Sequence, residues 1–225
     1  MDNFVHKIRH LTARFPGWRL VLASVIAAAI LTALFVVLGL DWFYFVWIQN
    51  MHPFGPLMAA DGLGYAFPVL LPLGLIAAAG LRPGRGYFPA AIATLVAAGL
   101  AIAVSVALKS LAGRASPPHH SFGADLALAD NSAGFDFGFM NEAILGGWPS
   151  SHATVAFAAT FALAAALPQA RGLHYVNFAL AAFIGVGVTL GFHWLSEFIS
   201  GALIGTSIGI WVGHFTATRT ALSDR

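Results

Sequence analysis

The chain has 225 residues, 59% of them apolar and only 9% charged. A soluble domain carries roughly 25% charged residues, so lipid must solvate most of this exterior, and a net charge of +2 leaves no basic footprint for nucleic acid. There are no cysteines, which excludes disulfides and thiolate metal centres.

A membrane-crossing helix needs about 20 predominantly apolar residues. At the N-terminal end a basic stretch (Lys7, Arg9, Arg14, Arg19) precedes an apolar run that continues to Leu40. That run is longer than a signal-peptide core and lacks a clean cleavage site, so it reads as a retained anchor. Spans are expected at Trp18–Leu40, Gly64–Leu81, Tyr87–Leu108, Ser151–Leu167, Tyr175–Phe192 and Phe198–Phe215. The second contains Pro68 and Pro72, which predict a kink. The expected fold is therefore all-α: a polytopic membrane protein, one six-transmembrane-helix bundle over residues 1–225. Residues 1–17 form a cytoplasmic N-terminus, and 41–63 and 110–148 form non-cytoplasmic loops.

Charge placement orients the bundle. With the N-terminus inside, the inner side holds Lys7, Arg9, Arg14, Arg19, Arg82, Arg85, Arg171, Arg219 and Arg225, and the outer side only Lys109 and Arg114. This positive-inside bias predicts both termini in the cytoplasm of a bacterial inner-membrane protein. The 41–63 segment, rich in aromatic residues from Trp42 to Trp47, is expected in the interface. The long 110–148 segment is a candidate lid. Gly201, Gly205 and Gly209 recur every four residues on the last helix and predict close helix packing.

Three short polar groups fall on the outer side. Lys109 and Arg114 leave the third span, Pro149-Ser150-Ser151-His152 opens the fourth, and His193-Trp194-Leu195-Ser196-Glu197 joins the fifth to the sixth. Ser150 and Ser151 can cap a helix whose N-terminus offers free N–H groups to an anion. Lys109 and Arg114 add positive charge suited to phosphate or carboxylate. His193 and His152 supply a nucleophile and a proton donor, and Glu197, four residues after His193, can orient its ring. Such a set suits phosphoryl transfer, which rests on positioning and charge stabilisation. Each member also has a plainer reading: Ser150 as a helix cap, the two cations as interfacial side chains with snorkelling heads, a lone histidine as a surface residue.

These groups resemble the three motifs of the type 2 phosphatidic acid phosphatase superfamily, which includes membrane lipid phosphatases and vanadium haloperoxidases. The family pattern of Lys, six residues, Arg-Pro is matched by Lys109 with Ser116-Pro117. Pro-Ser-Gly-His is matched by Pro149-Ser150-Ser151-His152. Ser-Arg, five residues, His, three residues, Asp is matched by His193 and Glu197, with Val186 and Gly187 in the Ser-Arg positions. The resemblance implies that His193 attacks phosphorus, His152 protonates the leaving oxygen and Glu197 orients the nucleophile. It implies further that Lys109, Ser150 and the Ser151 backbone N–H hold phosphate oxygens, with no metal and no cofactor. Both family arginines are replaced, at Ser116 and Gly187, leaving Arg114 as the substitute cation and His120 as a further donor.

The expected activity is that of a lipid phosphatase or phosphotransferase acting on a lipid phosphate or diphosphate at the periplasmic face. Each charged donor removed from such a site typically costs about 10²–10³ in rate, so the competing reading is a lipid-binding or scaffold relative that has lost catalysis. A haem or metal protein would need histidines facing one another within the bundle, and a transporter would need charges near the midplane. The oligomeric state is not legible in the sequence.

Overall fold

The computed structural model describes residues 17–51, 54–118, 130–139 and 147–223, the side chains of 54 and 219–223 aside. Among the described residues are seven helices, α1 (Gly17–Val37), α2 (Leu40–Gln49), α3 (Phe54–Leu81), α4 (Tyr87–Leu111), α5 (Ser151–Ala166), α6 (Arg171–Val188) and α7 (Leu195–Ser223), and two short strands, β1 (Ala112–Arg114) and β2 (Phe135–Phe137). Helices α1, α3, α4, α6 and α7 are long and apolar enough to cross a membrane; α5 is apolar but has only 16 residues. The chain is an all-α, multi-pass membrane bundle.

α7 is the central post. Gly201, Gly205, Gly209 and Gly213 lie against the backbone of Ser150, Thr154, Ala158 and Ala162 of α5 in turn. The matching order of the two series means that α5 and α7 run parallel. A Cβ on Gly201 would come within 2.6 Å of the Ser150 carbonyl oxygen, and one on Gly205 would run into that of Thr154. Small residues let membrane helices approach this closely, where lipid offers no hydrophobic drive for association.

α1 lies antiparallel on another face of α7. Ser24 and Ser207 hydroxyls share a hydrogen bond of 2.8 Å, and Thr32 and Ser200 one of 2.9 Å. Trp148 Nε1 donates to Thr32 Oγ1 at 2.8 Å and ties the loop before α5 to the same seam. The opposite face of α1 presents Leu22, Ile26, Ile30 and Leu34, all exposed and spaced by four residues, to the lipid.

The bundle has two distinct ends. At one, Gln169 Nε2 reaches the Arg85 carbonyl at 3.5 Å, and Gly86, in the left-handed region at φ 75°, lies against Leu167. That brings the α3–α4 and α5–α6 turns together. The other end carries α2, the strands and the polar groups.

Three elements differ from expectation. The second span begins at Phe54 rather than Gly64, ten residues early. The described part of the 41–63 segment is accordingly helical, α2 and the first turns of α3, rather than a loop. Gly55, Pro56 and Gly62 read as breakers, but proline is tolerated in a first helical turn, where its missing N–H has no intrahelical partner to lose. α3 stays helical through Pro68 and Pro72. Finally, the 110–148 segment contains an antiparallel pair, Ala112↔Phe137, Gly113↔Asp136 and Arg114↔Phe135. The rest of that segment, including His119 and His120, lies outside the described residues.

Candidate active site

His193 sits in the turn ahead of α7, and Glu197 lies in its first turn. The four-residue spacing brings them face to face: His193 Nδ1 is 2.6 Å from Glu197 Oε2, with both residues buried. A carboxylate only accepts, so Nδ1 carries the proton and donates, leaving Nε2 with a lone pair.

Behind Glu197 stands Arg114, and here the structure departs from the expected role. Arg114 was a phosphate-binding candidate. Instead its side chain is fully buried between the rings of Phe135 and Trp194, with Cζ 4.9 and 5.4 Å from their centroids. Nε and Nη2 donate to the Ser132 carbonyl at 2.9 and 2.6 Å. Nη2 also reaches Asp41 Oδ2 at 2.8 Å, while Nη1 reaches Ser196 Oγ at 2.9 Å and Glu197 Oε1 at 3.5 Å. Those contacts engage all five N–H groups of a guanidinium. Arg114 braces the carboxylate that orients His193, and none of its donors remains for a phosphate.

Asp41 completes the brace. It enters from the first turn of α2, is wholly buried, and accepts from the Ser196 backbone N–H at 2.8 Å and hydroxyl at 2.6 Å. A carboxylate suits this place, because the first N–H groups of a helix lack intrahelical partners and carry partial positive charge. Ser132 is presented by an Asx turn in which its N–H donates to Asp130 Oδ1 at 2.8 Å. Trp194 Nε1 donates to the Ala115 carbonyl at 2.8 Å and packs against Trp42 and Phe45 of α2.

His152 opens α5 opposite His193, with ring centroids 6.4 Å apart. Its Nε2 is 3.4 Å from Asp61 Oδ1 on α3. This is ion-pair range without hydrogen-bond geometry, and neither ring nitrogen has a hydrogen-bond partner among the described residues. Ser150 caps α5, its Oγ accepting from Ala153 N–H at 3.5 Å, and its own N–H donates to the Glu197 carbonyl at 3.2 Å. That bond joins the N-terminal ends of α5 and α7. Ser151, half-buried, is the first residue of α5. Lys109 is buried in the last turn of α4, within electrostatic reach of Glu197 and His152.

The positions where arginines were expected have different fates. Ser116 is exposed. Gly187 is buried against α3, where a Cβ would collide with that of Ala60. No side chain fits there. Among the described residues, no group of three or more His, Asp or Glu is arranged to hold a metal ion.

Residues 90–221, more than half of the chain, match the sequence profile of the PAP2 superfamily. The chain belongs to the PAP2 superfamily. The matched stretch runs from α4 through α7 and carries both histidines, Glu197, Lys109 and Arg114, while α2 and α3 add Asp41 and Asp61 from outside it. Membership supports a hydrolase of phosphoric esters in general. No curated protein and no solved structure matches the chain.

Sequence reasoning missed Asp41, Asp61, Ser132, Ser196 and Gly64 as contributors to this PAP2 site. The available signal was an acid just past the first span and another just before the second, where ionisable groups at membrane ends become functional candidates.

Proposed function

We propose that this protein is a membrane lipid phosphatase or phosphotransferase that cleaves a lipid phosphate or diphosphate through a phosphohistidine at the periplasmic face. The observation that carries the reading is the buried His193–Glu197 pair at 2.6 Å, facing the His152 ring at 6.4 Å. In a gap of that width, phosphorus can approach within about 3–3.5 Å of the nucleophile. The leaving oxygen then comes within about 2.6–3.2 Å of the acid.

His193 Nε2 attacks phosphorus while Glu197 holds Nδ1–H and stabilises the imidazolium. The bond to the leaving oxygen breaks, and His152 supplies its proton. Water, or an acceptor hydroxyl, then loses a proton to His152 and attacks phosphorus, breaking the N–P bond and freeing His193. Lys109 and the N-terminus of α5 offset the charge on the non-bridging oxygens. The positive-inside bias supports an outward-facing site, and the exposed apolar faces around it support a substrate arriving from the outer leaflet.

Phosphate release by purified protein in detergent tests the proposal, with phosphatidate, phosphatidylglycerophosphate, undecaprenyl diphosphate and lipid A as substrates. Turnover of at least one, abolished in His193→Ala, is expected. Inertness toward all of them, or turnover that survives the substitution, overturns it.

The engaged guanidinium of Arg114 and the closed space at Gly187 favour a second reading, a lipid-binding relative without catalysis. That reading requires lipid affinity in the absence of turnover, with affinity unchanged in His193→Ala and His152→Ala.

A further inference from the structure

We propose that Asp61 positions the proton donor His152, giving the site a second carboxylate–imidazole pair. The proposal rests on the phosphatase reading above and concerns a residue outside the matched stretch.

Asp61, Gly64 and Tyr65 stand at i, i+3 and i+4 on α3 and therefore share one helix face. All three meet the same ring. Asp61 Oδ1 lies 3.4 Å from His152 Nε2, and the Tyr65 ring stands edge-on at 4.8 Å between centroids. Gly64 provides the slot, since a Cβ there would run into His152 Cδ2. One face of α3 thus fixes the height and tilt of a side chain that belongs to α5.

The ring nitrogens are buried without hydrogen-bond partners among the described residues. An imidazole with one nitrogen against a carboxylate keeps a proton there and offers the other nitrogen to substrate. Nε2–H faces Asp61, so Nδ1–H is the proton that passes to the leaving oxygen. Asp61 stabilises the imidazolium before that transfer and holds the neutral tautomer after it. In the second half-reaction Nδ1 takes the proton of the attacking water. From the 3.4 Å separation the contact can close to a hydrogen bond, since catalytic hydrogen bonds often tighten when substrate binds.

Leaving-group dependence separates this role from a structural one. Phosphatidate expels an alkoxide, which needs a proton, whereas p-nitrophenyl phosphate expels a stable phenolate, which does not. Full-length protein in detergent would be compared as wild type, Asp61→Asn, Asp61→Glu and His193→Ala. Outer carboxylates that orient histidines typically govern about 10–100-fold of activity. Asp61→Asn should therefore lower kcat on phosphatidate by about 10–100-fold and on the aryl ester by less than about threefold. Asp61→Glu should recover part of the loss. An equal loss on both substrates, or none on phosphatidate, overturns the role of Asp61 while leaving the phosphatase reading intact. Wild-type protein inert toward both, or activity persisting in His193→Ala, overturns that reading and this one with it.

Discussion

The two histidines occupy unlike surroundings. Around His193 everything is closed: Glu197, Arg114, Asp41 and Trp194 are all at most 2% exposed, the two carboxylates are tied to the guanidinium in a continuous brace, and Trp194 donates to the Ala115 carbonyl. Around His152 the wall is open. The Asp61 side chain is 22% exposed, and Tyr65 and Leu63 on the same helix face outward. On the proposed mechanism His193 is the nucleophile, which must be aimed within a few tenths of an ångström to be useful, and that accounts for burying three charges behind it. His152, as the proposed proton donor, has to meet leaving groups that arrive from outside, which a sealed pocket would prevent. The contrast also places risk. Buried charges hold only while every partner is present, whereas the open pair can lose one at little cost to the fold.

The largest effect expected is on the closed side. His193→Ala should reduce turnover at least about 10⁴-fold, as removal of a nucleophile does in comparable catalytic units. A loss under tenfold in phosphate-release assays would remove His193 from the chemistry.

Next comes Arg114→Ala, which leaves Asp41 and Glu197 as buried charges without their shared cation. Breaking a buried pair in this way costs about 3–5 kcal/mol, read as a lower thermal midpoint in detergent. Asp61→Ala, on the open side, should cost under about 1 kcal/mol, as for exposed pairs. Equal destabilisation by the two would erase the contrast. Arg114→Lys keeps the charge but not the planar fork, and should fall between wild type and Arg114→Ala.

A last comparison lies away from both histidines, and its second member is the smallest effect expected. Gly205→Ala drives a methyl into the Thr154 carbonyl and should cost about 1–3 kcal/mol of stability, the usual range for overpacking. Gly99, which has open space where its Cβ would lie, should accept alanine with a neutral or slightly stabilising effect. The same thermal scan checks both.

The bundle and the paired groups on α5 and α7 were legible in the sequence because each rests on local order. Apolar runs give spans, and a four-residue spacing puts His193 over Glu197. The brace was not legible, since it depends on which way Arg114 points once β1 pairs with β2, and on α2 folding back to deliver Asp41. Neither pairing leaves a local periodicity. The start of α3 was hidden for a different reason. Gly55, Pro56 and Gly62 carry the signals of a loop, and only the tolerance of a first turn for proline lets the helix extend. That extension delivers Asp61 and Gly64. The missing arginine at Gly187 likewise has a spatial explanation that no spacing could disclose: α3 occupies its volume.

The glycine stripe of α7 has a consequence for how such a protein can change over time. His152 opens one, and His193 lies just ahead of the other, of two parallel helices that touch backbone to backbone, with notches every four residues. Four residues of helix rise about 6 Å, so the neighbouring register would carry the two rings past one another by roughly their present separation. The pair can therefore be aligned or lost, with no graded settings between. On the proposed reading, any drift in substrate preference has to come from α2, α3 and the strand pair, while α5 and α7 stay locked like a rack and its teeth.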